Sequence, residues 1–274
     1  MKKTFLLMLT FLLILPLVYV TRGEYANNIF KARNWLENVV YNETVGLCSE
    51  TEEWNTSFWL HSDNYLVSEA LENYYPSLVF NMHNKLAEYG YKGESYFEIV
   101  FNGNLDHYPF KSGYAYNVYE NNFTVKSWNY SAGNIFSEYE KYSDLCMLKS
   151  VHSWLEGNNE ESIKMIEKAI SYWDGMGFKD ETYAGCYDVY RLGLFLASCN
   201  VIGYDCKELK SDIELIMWSM QDDDGGVYSH YTGIGEHGEH LKNTEATVFS
   251  VLAYKRPFYM HYYENKKLLI YWIR

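Results

Sequence analysis

Apolar residues recur along most of the chain three and four positions apart, the spacing of one helix face, and they do so in paired segments. The periodicity predicts helices near 27–40, 63–74, 76–90, 138–156, 159–173, 185–199, 207–220 and 243–254, which make four helix pairs. Between Glu94 and Ser131 the pattern changes to short aromatic and β-branched runs, FEIVF, GYAYNVY and FTVKSW, separated by turns rich in Asn and Gly. Such runs predict strands, and so a small β insertion at about 94–136. The stretch from 255 to 274 has no clear period and reads as a strand or a short helix.

The later helix of the pairs carries a repeat. SDNYLVSEAL begins at Ser62, YDVYRLGLFL at Tyr187 and TEATVFSVLA at Thr244, each with an acid at its second position; a weaker copy, YSDLCMLKSV, holds Asp144. Glycine turns precede three of these helices, at Gly46-Leu47, Gly177-Phe178 and Gly225-Gly226-Val227-Tyr228. Units of helix, glycine turn and helix are those of stacked hairpins, because each unit buries its apolar face only against its neighbours.

In the last repeat the residues Met217 to Tyr228, MWSMQDDDGGVY, are followed by Asn243-Thr244-Glu245-Ala246-Thr247 opening a helix. This segment resembles the Q-x-x-x-G-G-x-[WY] repeat of the α/α-toroid superfamily of terpenoid cyclases and protein prenyltransferases. The likeness is clear over this one repeat and degenerate from Trp173 to Leu196. It implies a mainly α fold, a toroid of inner and outer helices, with the glutamine and its turn linking an outer helix to an inner one. It implies fold more than chemistry. The chain has no DxDD acid motif of the protonating cyclases and no Asp/Cys/His zinc set of the prenyltransferases. Many toroids have six helix pairs, so four imply an open or smaller ring. Glycoside hydrolases and polysaccharide lyases share the architecture and are commonly secreted.

The amino terminus supports that habit. Met1-Lys2-Lys3 is basic, residues 5–20 are apolar except for Thr10 and Pro16, and polar TRGEYANN follows. This is the layout of a secretory signal over 1–23, cleaved between Val20 and Ala26, or otherwise of an uncleaved anchor. The chain is then secreted or held at the cell surface, and it touches a membrane only through this segment. The remainder, 24–254 with the extension 255–274, contains no linker that would divide it. The whole chain's net charge of −13, which becomes three units more negative without Lys2, Lys3 and Arg22, argues against nucleic acid and anionic lipid as partners. Sequons stand at Asn42, Asn55, Asn122 and Asn129.

If the later helices form the inner ring, Asp63, Asp144, Asp188 and Glu245 all lie at their amino-terminal ends and converge on one mouth. Paired carboxyl groups across such a mouth suit glycoside hydrolysis, one protonating the leaving oxygen and the other activating water. The competing explanation is that each acid caps its helix and offsets the dipole. Tyr65, Tyr187, Tyr190 and Tyr228, with Asn64 and Asn243, are the candidate ligand contacts, since the 28 Tyr and 8 Trp offer flat surfaces for sugars or peptides. His230, Glu236, His237, Glu239 and His240 lack the HExxH or C-x-x-C spacing of a metal site, and the glycines among them enforce no geometry. No metal or cofactor is therefore expected. The reading is a non-catalytic glycan- or peptide-binding protein, with a secreted glycan hydrolase or lyase as the alternative and an isoprenoid or terpenoid enzyme as a third. Export also favours disulfides; Cys199 with Cys206 and Cys48 with Cys186 are the expected pairs, leaving Cys146 as a buried thiol.

Overall fold

The computed structural model describes residues 25–54, 58–93, 95–131, 133–255, 257–260 and 269–272. The expected leader and the sequon at Asn55 lie outside them. The described chain is mainly helical: α1 (Ala26–Trp35), α2 (His61–Leu71), α3 (Pro76–Glu88), α4 (Glu98–Phe101), α5 (Ser143–Leu155), α6 (Asn159–Ile170), α7 (Val189–Ile202), α8 (Lys207–Ser219) and α9 (Thr244–Leu252). No helix among these residues is long and apolar enough to cross a membrane.

The helices fall into two kinds. Helix α7 buries residues on every side, from Val189 through Arg191 and Leu194 to Ile202, and α2, α5 and α9 are buried almost as completely. A helix apolar all round belongs inside a fold. Helices α3 and α6 instead bury single stripes, Val79, Met82 and Leu86 in one and Ser162, Met165, Ile166 and Ala169 in the other. The buried helices pack side by side in the order α2, α9, α7, α5, and each carries one striped helix: α3 on α2, α1 on α9, α8 on α7 and α6 on α5. The ends are set locally. Pro76 opens α3 where its missing N–H is not needed, the Asn158 side chain caps α6, and Gly203, with φ of 69°, closes α7.

Each glycine turn seats on the amino terminus of the neighbouring buried helix. The turn ahead of α2 docks on α9, where Thr244 donates its N–H to the Glu50 carbonyl at 2.9 Å and its hydroxyl to the Ser49 carbonyl at 2.5 Å. The turn ahead of α9 docks on α7, with Val189 N–H donating to the Ser229 carbonyl at 3.0 Å and two short strands, β6 (Tyr187–Asp188) and β7 (His230–Tyr231), pairing antiparallel. The turn ahead of α7 docks on α5, where the Asp180 carboxylate accepts from the Ser143 N–H at 2.7 Å. Asn243 caps α9 by accepting from Ala246 N–H at 2.8 Å.

The repeat glutamine is architectural. Gln221 Oε1 accepts from Asn28 Nδ2, and its Nε2 donates to the Asn28 and Gly225 carbonyls, all within 2.8–3.0 Å, which ties the turn to α1. Trp173 bridges to Phe178 as Gln221 bridges to Val227, so the degenerate copy keeps the turn without the glutamine. Gly225 has φ of 106°, and a Cβ there would lie 2.1 Å from the Lys31 carbonyl oxygen; only glycine fits.

The small sheets start with β1 (Tyr41–Asn42) and β2 (Leu47–Cys48), which pair with each other. Strand β3 (Phe58–Leu60) runs parallel to β5 (Thr124–Asn129), which pairs antiparallel with β4 (Tyr114–Glu120). A second core of Val45, Leu47, Trp59, Leu86, Tyr89 and Val125 lies against this sheet. The run FEIVF, expected as a strand, is instead α4. All four of its residues, Glu98 to Phe101, are buried, and a single helical turn surrounded by core achieves that without the exposed alternate face of an edge strand. The carboxyl-terminal stretch forms two antiparallel strands, β8 (Pro257–Met260) and β9 (Leu269–Trp272).

All five cysteines are free thiols. Cys199 and Cys206 lie together, sharing a hydrogen bond that, ahead of the opposing effect of burial, lowers the Cys206 thiol pKa. Cys48 differs from expectation: it is not bonded to Cys186 but packs in the main core with its Sγ donating to the Leu36 carbonyl at 3.3 Å, and burial pushes its thiol up. A buried thiol of this kind is inert. Mild oxidation should therefore crosslink 199 to 206, read by non-reducing peptide mapping; a 48–186 peptide in that map would contradict this placement.

Helices α7 and α9 approach most closely at Gly193, where an added Cβ would meet the Phe249 carbonyl oxygen at 2.4 Å. Gly193→Ala gains about 1 kcal/mol of helix propensity but drives two buried helices apart, at a cost of typically 1–3 kcal/mol or more. The expected result is a lower urea midpoint. A midpoint equal to or above that of the parent would mean that the helices do not touch there.

Candidate functional site

The amino-terminal ends of the buried helices enclose a cavity of about 270 Å³. Asp63 and Ser62 reach it from α2, Asp144, Leu145 and Leu148 from α5, Glu245 from α9, and Glu50 from the turn seated on α9. Leu60, Ser95, Tyr96, Phe97, Trp128 and Tyr130 complete the wall. The two ends of the helix row, α2 and α5, thus face one space.

Glu50 and Asp63 act on each other within it. Asp63 is 4% exposed, and its Oδ1 accepts from the Ser62 hydroxyl at 3.1 Å. Glu50 Oε2 and Asp63 Oδ2 are both buried, with no donor to either among the described residues. Two carboxyl groups desolvated beside one another resist ionising together, which favours the protonated form of the pair. Burial, then the Asp63 charge and hydrogen bond, then the Glu245 charge push the Glu50 carboxyl well up. Burial likewise raises Asp63, against the hydrogen bonds from Glu50 and Ser62. Glu245 is raised by burial and by Asp63, Asp188 and Asp144, with Arg191 opposing.

Asp144 is raised as well, burial outweighing the contacts that favour its anion. The Arg191 charge opposes burial, the Tyr190 hydroxyl donates to its Oδ2 at 2.9 Å and the Leu145 N–H to its Oδ1 at 2.9 Å. Arg191 anchors this side. It contacts Asp180 at 2.6 Å, Asp188 at 3.0 Å, Thr182 Oγ1 at 2.7 Å and Tyr190 Oη at 3.3 Å. Burial works against ionising Asp180, yet the Arg191 hydrogen bond and the Ser143 N–H hold it at about 2.

Asp63, Asp144 and Glu245 are therefore brought together, whereas Asp188 is off the cavity wall, held by Arg191 and by His230 Nε2 at 2.9 Å. Capping explains the acids poorly: Asp188 makes no side-chain cap bond, α9 is capped by Asn243, and Asp180 serves α5. Tyr190 and Asn243 act on the acids, Asn243 Nδ2 lying 3.4 Å from Glu50 Oε1. The other candidate contacts lie elsewhere. Tyr65 is buried against Tyr91, and Tyr187 is buried with its hydroxyl on Asp174 at 2.6 Å. Asn64 is fully buried and bridges Cys48 N–H and the Cys48 and Leu60 carbonyls, while Tyr228 stacks on His237. Among the described residues no His/Cys/Asp/Glu cluster has the arrangement of a metal site.

Sequence reasoning missed Glu50, Arg191 and the aromatic wall. A signal for Glu50 existed: it stands four residues beyond Gly46, as His230 stands four beyond Gly226, and both reach a helix-start acid.

Carboxyl groups raised in the fold make the folded chain bind more protons than the unfolded one, so stability falls as pH rises above the ordinary Glu value of 4.5. Asp180 acts oppositely: its contribution is present above the ordinary Asp value of 3.8 and is lost as pH falls toward about 2. Stability should peak between these limbs. Glu50→Gln should raise the melting temperature at pH 7–8 by a few degrees and flatten the alkaline limb in melts from pH 4 to 8. A parallel or steeper limb would show that Glu50 does not hold the proton. No family model, curated protein or solved structure matches this chain.

Proposed function

We propose that the chain is an exported hydrolase that cleaves glycans, with the carboxyl cavity as its active centre on an α/α-toroid scaffold. Support for the scaffold is the row of four buried helices, each backed by an outer one, whose two ends face one cavity. The observation carrying the reaction is that the buried carboxyl groups of Glu50 and Asp63 line, together with Asp144, one space walled by Tyr96, Phe97, Trp128 and Tyr130. A carboxyl group that stays protonated near neutral pH donates to a leaving glycosidic oxygen; a carboxylate activates water. The Glu50–Asp63 pair takes the first role. Asp144, oriented by Tyr190 and the Arg191 charge, takes the second. Glu245, raised by burial and by the neighbouring acids, places a further protonated carboxyl group beside the pair.

The second reading, binding without turnover, is favoured by the aromatic wall, which serves a bound sugar or peptide equally well. Release of reducing ends from a panel of polysaccharides by the exported domain separates the readings. Asp144→Asn and Glu50→Gln should each lower kcat by about 10²–10⁴-fold with near-UV circular dichroism unchanged. Turnover retained in both variants would refute the assignment, and tight binding without turnover in the parent would establish the second reading.

A further inference from the structure

A second cavity, of about 300 Å³, adjoins the first, and Tyr96 and Tyr130 line both. These rings are part of a column. Trp128 and Tyr130 stack at 6.2 Å and 14°, Tyr130 and Tyr96 at 4.2 Å and 28°. The column is held rigid at its far end, where the Tyr96 hydroxyl accepts from Lys111 N–H at 2.6 Å and donates to the Lys111 carbonyl. Beyond it the rim is polar: Lys111, Asp106, Asn129 and Ser131. Asn129 and Ser131 are fixed to each other, Asn129 Oδ1 accepting from the Ser131 hydroxyl at 2.6 Å.

Ligand sites occupy roughly 300–1,000 Å³. Either cavity alone is at the lower limit, and the two together fall within the range. Given the glycan reading, on which this rests, the geometry points to the second cavity as a subsite for a further sugar unit, so that the ligand is an oligosaccharide spanning both spaces past Tyr130. The rim suits a polyhydroxylated ring, because an ammonium, a carboxylate, an amide and a hydroxyl supply donors and acceptors around one space, and the aromatic column supplies the apolar wall that a sugar's C–H face requires. A monosaccharide glycoside fills only the carboxyl cavity. Longer chains gain the contacts of Lys111 and Asp106.

Titration calorimetry of the exported domain with cello-, malto- and chito-oligosaccharides of two to six units, and with the methyl monosaccharide of each series, tests this, using Glu50→Gln protein to prevent turnover and the parent for hydrolysis. The expected result is affinity that rises with length in one series, with Lys111→Met and Asp106→Asn each weakening the oligosaccharides by roughly three- to tenfold and leaving the short member, the methyl monosaccharide of that series, unchanged. Affinity independent of length, or variants that weaken short and long members equally, would overturn the subsite and leave the catalytic reading standing. Length-dependent binding without hydrolysis by the parent would keep the subsite and remove the hydrolase. No binding in any series would overturn both.

Discussion

The seating of each glycine turn on the amino terminus of the next buried helix is the contact on which the remainder depends. A helix start presents N–H groups that must find acceptors when buried, and here carbonyls of Ser49, Glu50 and Ser229 and the carboxylate of Asp180 accept from it or its first residue. Because the acceptors come from the adjoining repeat, the same bonds that finish each helix also fix its neighbour's position. They bring polar side chains of the turns, Glu50 and His230, to the acids at the helix starts. The cavity follows from the way the repeats are joined.

A cavity of this kind opposes folding. Glu50, Asp63 and Glu245 are desolvated near one another, and a carboxylate removed from water without a partner is strongly unfavourable, so protonation is the response. Catalytic acids require that state, whereas an ordinary core would have replaced these residues with apolar ones. The scaffold supplies the balance through four helices buried on nearly every side, with Gly193 allowing α7 and α9 to approach at backbone distance.

Much of the helical part was legible because helix period and burial coincide: α3, α6 and α8 show stripes, and α7 and α9 are mostly apolar and buried nearly throughout. FEIVF was not legible, since four consecutive buried residues carry no period and β-branched content favours the wrong element. Of the acids, Asp63, Asp144 and Glu245 were visible as repeat positions; Asp188 shares the pattern, but Arg191, one turn on in the same helix, draws it into an ion pair. Tyr65, Tyr187 and Asn64 were misplaced because composition shows that a ring or amide is present and not which way it faces. Glu50 required knowing which helix its turn would meet.

The clip between Gln221 and Asn28 spans 193 positions of the chain. Helix α1, first in the described sequence, takes its place against α9, the last of the helices. Until residues near 250 have emerged, α1 lacks its contact with α9, although Arg33 and Asn34 can already meet Ala70, Tyr74 and Tyr75. Folding therefore cannot finish progressively from one end as it does in an open solenoid; the long-range closure must come late, and contacts of such separation slow the search. A nascent chain of this architecture therefore carries the Ala32 and Trp35 face of α1 uncovered by α9 for most of its synthesis, and the carboxyl cavity is complete only once Glu245 has joined it.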